Sequence, residues 1–187
     1  AAEKVEQELF FVSREQRMPL LQKLLADTQG NALVFLRTKH NAKKVCRNLV
    51  AAKIAAAELH SNRSLNQRRA ALDGFKQGKF KVLVATDIAS RGIDVKGLAM
   101  VINYDLPESA GDYVHRIGRT GRAGRAGKAI SFALPDQKSK IREIQQLIRY
   151  VIPVSQAPGL PVVASPIPER PYVHRQHKFQ KRNRPGA

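Results

Sequence analysis

Acidic residues are scarce in this chain: 15 Asp and Glu stand against 33 Lys and Arg, for a net charge of +18 over 187 residues. That imbalance opposes compaction and favours a polyanionic partner, most simply nucleic acid. Cysteine is nearly absent. With Cys46 alone, no internal disulfide can form, and a reducing, cytoplasmic compartment fits. Within "AKKVCRNLV" that cysteine reads as a small core residue of a helix. No apolar run is long enough to span a bilayer, so no membrane role is expected. The first residues, "AAEKVEQELFFV", lack the charged-then-apolar pattern of a secretory signal. They also lack an initiator methionine, which suggests a fragment or a processed chain. No second His or Cys stands at ligand spacing from His115, so no metal site is expected.

What is present alternates. "VEQELFFV" (5–12) reads as a strand, and a helix follows with leucines at 20, 21, 24 and 25, Ser13 as a cap and Gly30 closing it. "ALVFL" (32–36), "KVLVAT" (81–86) and "AMVINY" (99–104) are short continuous apolar runs, the mark of strands buried on both faces. "IAAAEL" (54–59) is a weaker strand, since alanine is a poor strand former. Helices are expected over 41–52, over 64–79 with Ser64 as cap, and from Ser109; a strand over 128–134 and a proline-started helix close the series. This order predicts an α/β fold, a parallel sheet sandwiched by helices, over residues 1–155. Residues 156–187 are basic and proline-rich, and read as an extended or disordered tail.

Loops after parallel strands leave from one edge of the sheet, and ligands of open α/β sheets bind there. Four segments should meet at that edge: "RTKHN" (37–41), "HSNRS" (60–64), "TDIASRGID" (86–94) and "NYDLPES" (103–109). The helix after the last of them carries "HRIGRTGRAGRAG" (115–127), with Arg and Gly each recurring every third residue. The repeat is too short and proline-free for collagen. It is either a floppy basic loop or a site that brings guanidinium groups to anionic oxygen, with Arg119 and Arg122 starting from the ligand edge.

"VATDIASRGIDV" (84–95) and "YVHRIGRTGRAGRAG" (113–127) resemble motifs V and VI of DEAD-box RNA helicases, and "LVFLRTK" (33–39) looks like motif IV. The likeness is to the family's second, C-terminal RecA-like domain. Residues around Arg37–His40 and over 152–159 are similar to the bacterial RhlE-type subgroup. The resemblance implies that Arg119 and Arg122 reach the γ-phosphate of ATP as catalytic arginines, with Gly92 and Asp94 also at the nucleotide, Asp94 on the ribose hydroxyl. Arginine fingers are generally worth about 10³–10⁵ in rate. It implies RNA-backbone contact from Arg37, Thr38, Ser61, Asn62 and Thr86. It further implies that Asp87, Arg91, His115 and Arg116 couple the two domains. Taken without the motifs, Asp94 is a cap or strand-end carboxylate, and Asp87 and Arg91 are structural ion pairs. One block departs from the family pattern: Ser61 stands where a glycine is usual and Leu65 where a glutamine is.

Neither a Gly-x-x-x-x-Gly-Lys-Ser/Thr phosphate cradle nor an Asp-Glu-Ala-Asp string occurs in the sequence. In the family both belong to the N-terminal RecA-like domain, which would hold ATP and Mg2+. The expectation is therefore the C-terminal half of an ATP-dependent RNA helicase, inactive as an ATPase on its own, with RNA and the N-terminal domain as partners. A stand-alone RNA-binding module of the same fold, or a basic assembly protein, remains open on the residues.

Overall fold

The computed structural model describes residues 5–91, 94, 95, 97–121 and 126–166. Among them seven strands form one sheet, in the order β3-β4-β2-β5-β6-β1-β7, and every pairing is parallel. The strands are β1 (Val5–Phe11), β2 (Ala32–Leu36), β3 (Ala56–Leu59), β4 (Val82–Thr86), β5 (Met100–Asn103), β6 (Gly127–Ala133) and β7 (Val154–Ser155). The helices are α1 (Arg17–Asp27), α2 (Lys39–Ala51), α3 (Leu65–Lys76), the short α4 (Asp87–Ser90), α5 (Ala110–Ile117) and α6 (Lys138–Ile148).

The apolar runs are buried throughout: every residue of β2, β4 and β5 is inaccessible or nearly so. Side chains alternate across each strand. Ala32, Val34 and Leu36 meet α1 and α2 on one face, with Leu20, Leu21, Leu25, Val45 and Leu49. Leu33 and Phe35 point to the other face, where α3 brings Phe75 and α4 brings Ala89. Farther along that second face α5 and α6 add Tyr113, Ile117, Ile141 and Ile144. Burying one such large side chain is worth about 1.5–3 kcal/mol, so the clusters on the two faces hold the layers together.

Local chemistry sets several boundaries. Ser64 accepts from the Gln67 amide while the Gln67 side chain accepts from the Ser64 amide, a complete capping box for α3. Ser109 caps α5 through the Asp112 amide. The expected cap at Ser13 does not form: its own N–H donates to Gln16 Oε1, and α1 begins four residues later at Arg17. The Thr28 hydroxyl donates to the Leu24 carbonyl (2.6 Å) and ends α1 ahead of Gly30.

The domain ends on a short edge strand, and the first residues of the expected extended tail lie along it. β7 pairs with β1, and the Leu9 amide donates to the Pro153 carbonyl. Past Ser155, Ala157 and Leu160 pack on the first-face cluster and Val163 on the second. The Gln16 side chain donates to the Pro161 carbonyl and Lys23 to that of Pro158. Half-buried apolar residues spaced three apart, with no strand or helix period, leave no signal that separates a docked strap from a free tail.

Candidate functional site

β2 and β5 are neighbours, yet the chain leaves β2 toward β3 and leaves β5 toward β6, on opposite faces. This is the switch point where α/β sheets open a crevice at the carboxyl edge. Asp105, just past β5, closes it: Oδ1 takes Arg17 (2.7 Å) and Oδ2 takes the Arg37 amide (3.0 Å). Arg17 also lies over the Tyr104 ring, 4.8 Å from its centre. Arg14, Arg17, Arg37 and Thr38 line the resulting cleft of about 230 Å³. The motifs alone pick out neither Arg17 nor Asp105. The available signal is an acid directly after a buried strand, facing the basic segment after the motif IV strand.

Three of the four expected segments meet directly, the one after β2 touching those after β3 and β5. Lys39 Nζ donates to Asn62 Oδ1 (2.9 Å), joining the ends of β2 and β3. The Thr38 hydroxyl accepts from the Asn41 amide as the α2 cap. Ser61 and Asn62 are exposed. Their loop is set by His60, which is buried, accepts from the Asn62 amide through Nδ1 (3.3 Å) and meets Glu58 Oε2 through Nε2 (3.1 Å). Only the neutral ring protonated on Nε2 satisfies both partners. Burial, followed by the charges of Lys39 and Lys43, holds its pKa below the usual histidine value. Glu58 is shared with Arg63.

Motifs V and VI meet through Arg116. Its guanidinium is 2% exposed. Nε and Nη2 pair with the two carboxylate oxygens of Asp87 (2.7 and 2.6 Å), and Nη1 donates to Asn103 Oδ1 (3.0 Å) and the Asp105 carbonyl (2.7 Å). The plane lies over Phe35, 4.8 Å from the ring centre. Asn103 continues inward to the Ser131 hydroxyl (3.0 Å). A buried arginine is tolerable only when its donors are matched, and here they tie α5 to α4, β5 and the loop after β5, while the stacking reaches β2. Thr86, nearly buried at the end of β4, precedes Asp87. Asp87 and Arg116, expected between domains, are paired with one another inside this one.

Beyond this clamp, two of the expected nucleotide residues, Asp94 and Arg119, are described. Arg119 Nη2 lies 3.5 Å from the Ser90 carbonyl, and Arg91 follows Ser90 in the chain. Arg91 is exposed, with Nη2 3.8 Å from Asp112 Oδ1. Asp94 is exposed, and His115 projects outward from α5. Gly92 and Arg122 lie outside the described residues. Arg119 does not start from the carboxyl edge as the chain order suggested. α5 leaves that edge at Ser109, and one helix length later Thr120 bridges Leu98, ahead of β5. The Thr120 hydroxyl donates to the Leu98 carbonyl there.

The chain matches the helicase conserved C-terminal domain over residues 16–124. The ATP-dependent RNA helicase RhlB of Photorhabdus laumondii is 37% identical over 182 residues, covering 96% of this chain and 42% of that protein. The chain thus spans about two-fifths of the length of the curated relatives it matches. Those relatives carry the RhlB name, and the likeness to the RhlE type stays an expectation from the residues around Arg37–His40. Among solved structures, a DEAD box protein from Methanococcus jannaschii superposes with a TM-score of 0.77 at 39% identity, over 82% of this chain and 42% of that one. The E. coli DEAD-box protein SrmB, solved bound to regulator of ribonuclease activity A, gives 0.76 at 32% identity, over 81% and 89%. The C-terminal domain of the DEAD-box protein Dbp5 gives 0.75 at 30% identity, over 83% and 91%. With its all-parallel sheet between helices and its paired arginine motifs, the chain belongs to the helicase conserved C-terminal domain family, as the C-terminal RecA-like domain of a DEAD-box protein.

Proposed function

We propose that this domain works as the second half of an ATP-dependent RNA helicase, completing a nucleotide site that the first domain begins. The supporting observation is the Arg116–Asp87 clamp. It sets the motif VI segment against α4, so that Arg119 stands beside Ser90, within one short segment of Arg91 and Asp94. In this reading Arg119 and Arg122 stabilise charge on the transferring phosphoryl group, while Asp94 and Gly92 meet the nucleoside. Asp94 is exposed and Arg119 half-exposed, as groups that meet a ligand at a domain face must be. The phosphate cradle and the Mg2+ ligands come from the first domain.

RNA backbone binds at the carboxyl edge, through Arg37, Thr38, Ser61, Asn62 and Thr86. The Thr38 hydroxyl caps α2 by accepting from the Asn41 amide, which leaves its O–H to donate to a phosphate oxygen. Backbone contact of this kind gives affinity without reading sequence. Arg91 and His115, both exposed, couple this face to the first domain. Arg116 acts behind them by holding Asp87. The basic residues past Pro166, among them Arg170, Arg175, Lys178, Lys181, Arg182 and Arg184, tether the protein to RNA as a nonspecific binder. A cytoplasmic setting accords with the single buried Cys46.

The test is phosphate release from ATP by a separately prepared first domain of a DEAD-box relative, with and without this chain and RNA. Turnover that needs both halves and RNA supports the reading. RNA binding without any stimulation would make the chain a binding module.

A further inference from the structure

Helix α2 carries Lys39, His40, Lys43, Lys44 and Arg47, all exposed, and no Asp or Glu between Lys39 and Ala51. Lys39, Lys43 and Arg47 are four apart, as are His40 and Lys44, so the cations stand in two adjoining rows. Like charges at that spacing weaken a helix, and no acid on the helix itself relieves them. Among the described residues Lys39 reaches only the neutral Asn62. Lys43, Lys44 and Arg47 form no ion pair there. Two carboxylates line the grooves beside the helix, and both have other partners. Glu58 serves Arg63 and His60, and Glu15, which lines a groove with Lys44, interacts with Ser13, Arg14 and Arg17. The same positive field reaches His60 and lowers its pKa, after burial.

Grooves run along both flanks of the helix. One, of about 370 Å³, sets Lys39, His40 and Lys43 against Asn62 and Arg63, with Glu58 at its floor, 9% exposed and paired with Arg63. The other, of about 360 Å³, sets Asn41, Lys44 and Asn48 against Arg14, Glu15 and Arg17, two cations to one acid. The row from Lys39 to Arg47 rises roughly 12 Å at 1.5 Å per residue. That is the axial span of about three to four phosphates on one strand of a duplex. Apolar anchors are missing from these rows; the exposed Val50 lies beyond them, at the far end. Protein interfaces are built on such anchors and are depleted in lysine, so the chemistry favours a phosphodiester backbone over an acidic protein.

We propose that this face of α2 is a second phosphate track, which holds the nucleic-acid backbone where it runs on from Arg37, Thr38 and Asn62. The inference rests on the carboxyl-edge RNA reading above and extends it by several nucleotides. The contacts are to phosphate and carry no sequence preference.

The test uses the full chain and single-stranded RNAs of about six and about 20 nucleotides, titrated across a salt series. The combined Lys43→Ala, Lys44→Ala and Arg47→Ala variant is compared with a charge-preserving Lys43→Arg, Lys44→Arg and Arg47→Lys variant. The track predicts that the alanine variant loses about tenfold or more on the long strand, with a log–log salt slope shallower by about 0.7 per phosphate lost. The short strand is bound as before, and the charge-preserving variant behaves as wild type. A long-strand loss when the short strand never binds would overturn the carboxyl-edge reading and leave the track standing. Unchanged long-strand affinity and slope would overturn the track. So would an equal loss on both lengths, or equally tight, α2-dependent binding of polyglutamate.

Discussion

The Arg116 guanidinium and the Asp87 carboxylate meet edge to edge, Nε on Oδ1 at 2.7 Å and Nη2 on Oδ2 at 2.6 Å, with the arginine 2% exposed. Asp87 belongs to motif V and Arg116 to motif VI, so this pair fixes how the two segments face each other. Arg116→Ala leaves Asp87, Asn103 Oδ1 and the Asp105 carbonyl without their donor. Breaking such a pair typically costs about 3–5 kcal/mol, and urea melts should show a loss of that size. Arg116→Lys should recover little, because an ammonium cannot serve both carboxylate oxygens and the Nη1 acceptors together. Full stability of the lysine variant would mean that charge alone, without the fork, holds the motifs.

Gly127, at the start of β6, lies hard against the turn that follows Arg119. A Cβ there would overlap the Gly121 amide nitrogen and the Thr120 hydroxyl. Overpacking of that kind costs about 1–3 kcal/mol, and the turn must shift to relieve it. Gly127→Ala is therefore expected to lower the melting temperature and to reduce the Arg119-dependent part of turnover in a two-domain protein. A variant with normal stability and turnover would show that the turn can move freely.

His60 predicts a pH dependence. Its pKa lies below the unfolded value of 6.5 because burial and then Lys39 and Lys43 disfavour the charged ring. The unfolded chain therefore takes up the proton first as pH falls. The contribution to stability is fully present above about pH 6.5 and is lost as pH drops through the folded pKa. Protonation also removes the Nδ1 acceptor that holds the Asn62 amide. Urea midpoints measured from about pH 7.5 down to about pH 5 should fall, and His60→Gln should flatten that fall. Parallel curves for the two proteins would exclude His60 as the source.

Much of the layout is legible because local and global signals agree. The runs "ALVFL" and "KVLVAT" read as strands buried on both faces, which β2 and β4 are, and Ser64 caps α3 as read. Arg116 is harder to place. A repeat of Arg every third residue reads as surface charge, and burial of one guanidinium depends on acceptors from α4, β5 and its following loop. The helical period does hold a clue: Arg116 follows Tyr113 by three and adjoins Ile117, both on the buried face. Arg119 is misplaced by chain order, which locates the start of α5 at the carboxyl edge, whereas helix length decides where it ends. β7 has two residues, with Val154 partly exposed, too short for any period to register.

The docked segment after Ser155 separates two truncations. Removing residues after Ser155 strips Ala157, Leu160 and Val163 from the core clusters. Partial burial of three such side chains is worth about 1–3 kcal/mol. Ending the chain after Pro166 keeps those contacts and removes the basic stretch. The first truncation should lower stability, while the second should weaken RNA binding and its salt dependence with the melt unchanged. Identical melts for both would mean that the strap contributes nothing to the fold.

Arg119→Ala in a protein carrying both domains is the most direct test of the account. RNA-stimulated phosphate release and RNA affinity are measured on the same preparation. A group that stabilises developing charge is worth about 10²–10³ in rate, so turnover should fall by that factor with RNA affinity nearly unchanged. Undiminished turnover, or a loss of RNA binding that accounts for the whole effect, would contradict the assignment of Arg119 to phosphoryl transfer.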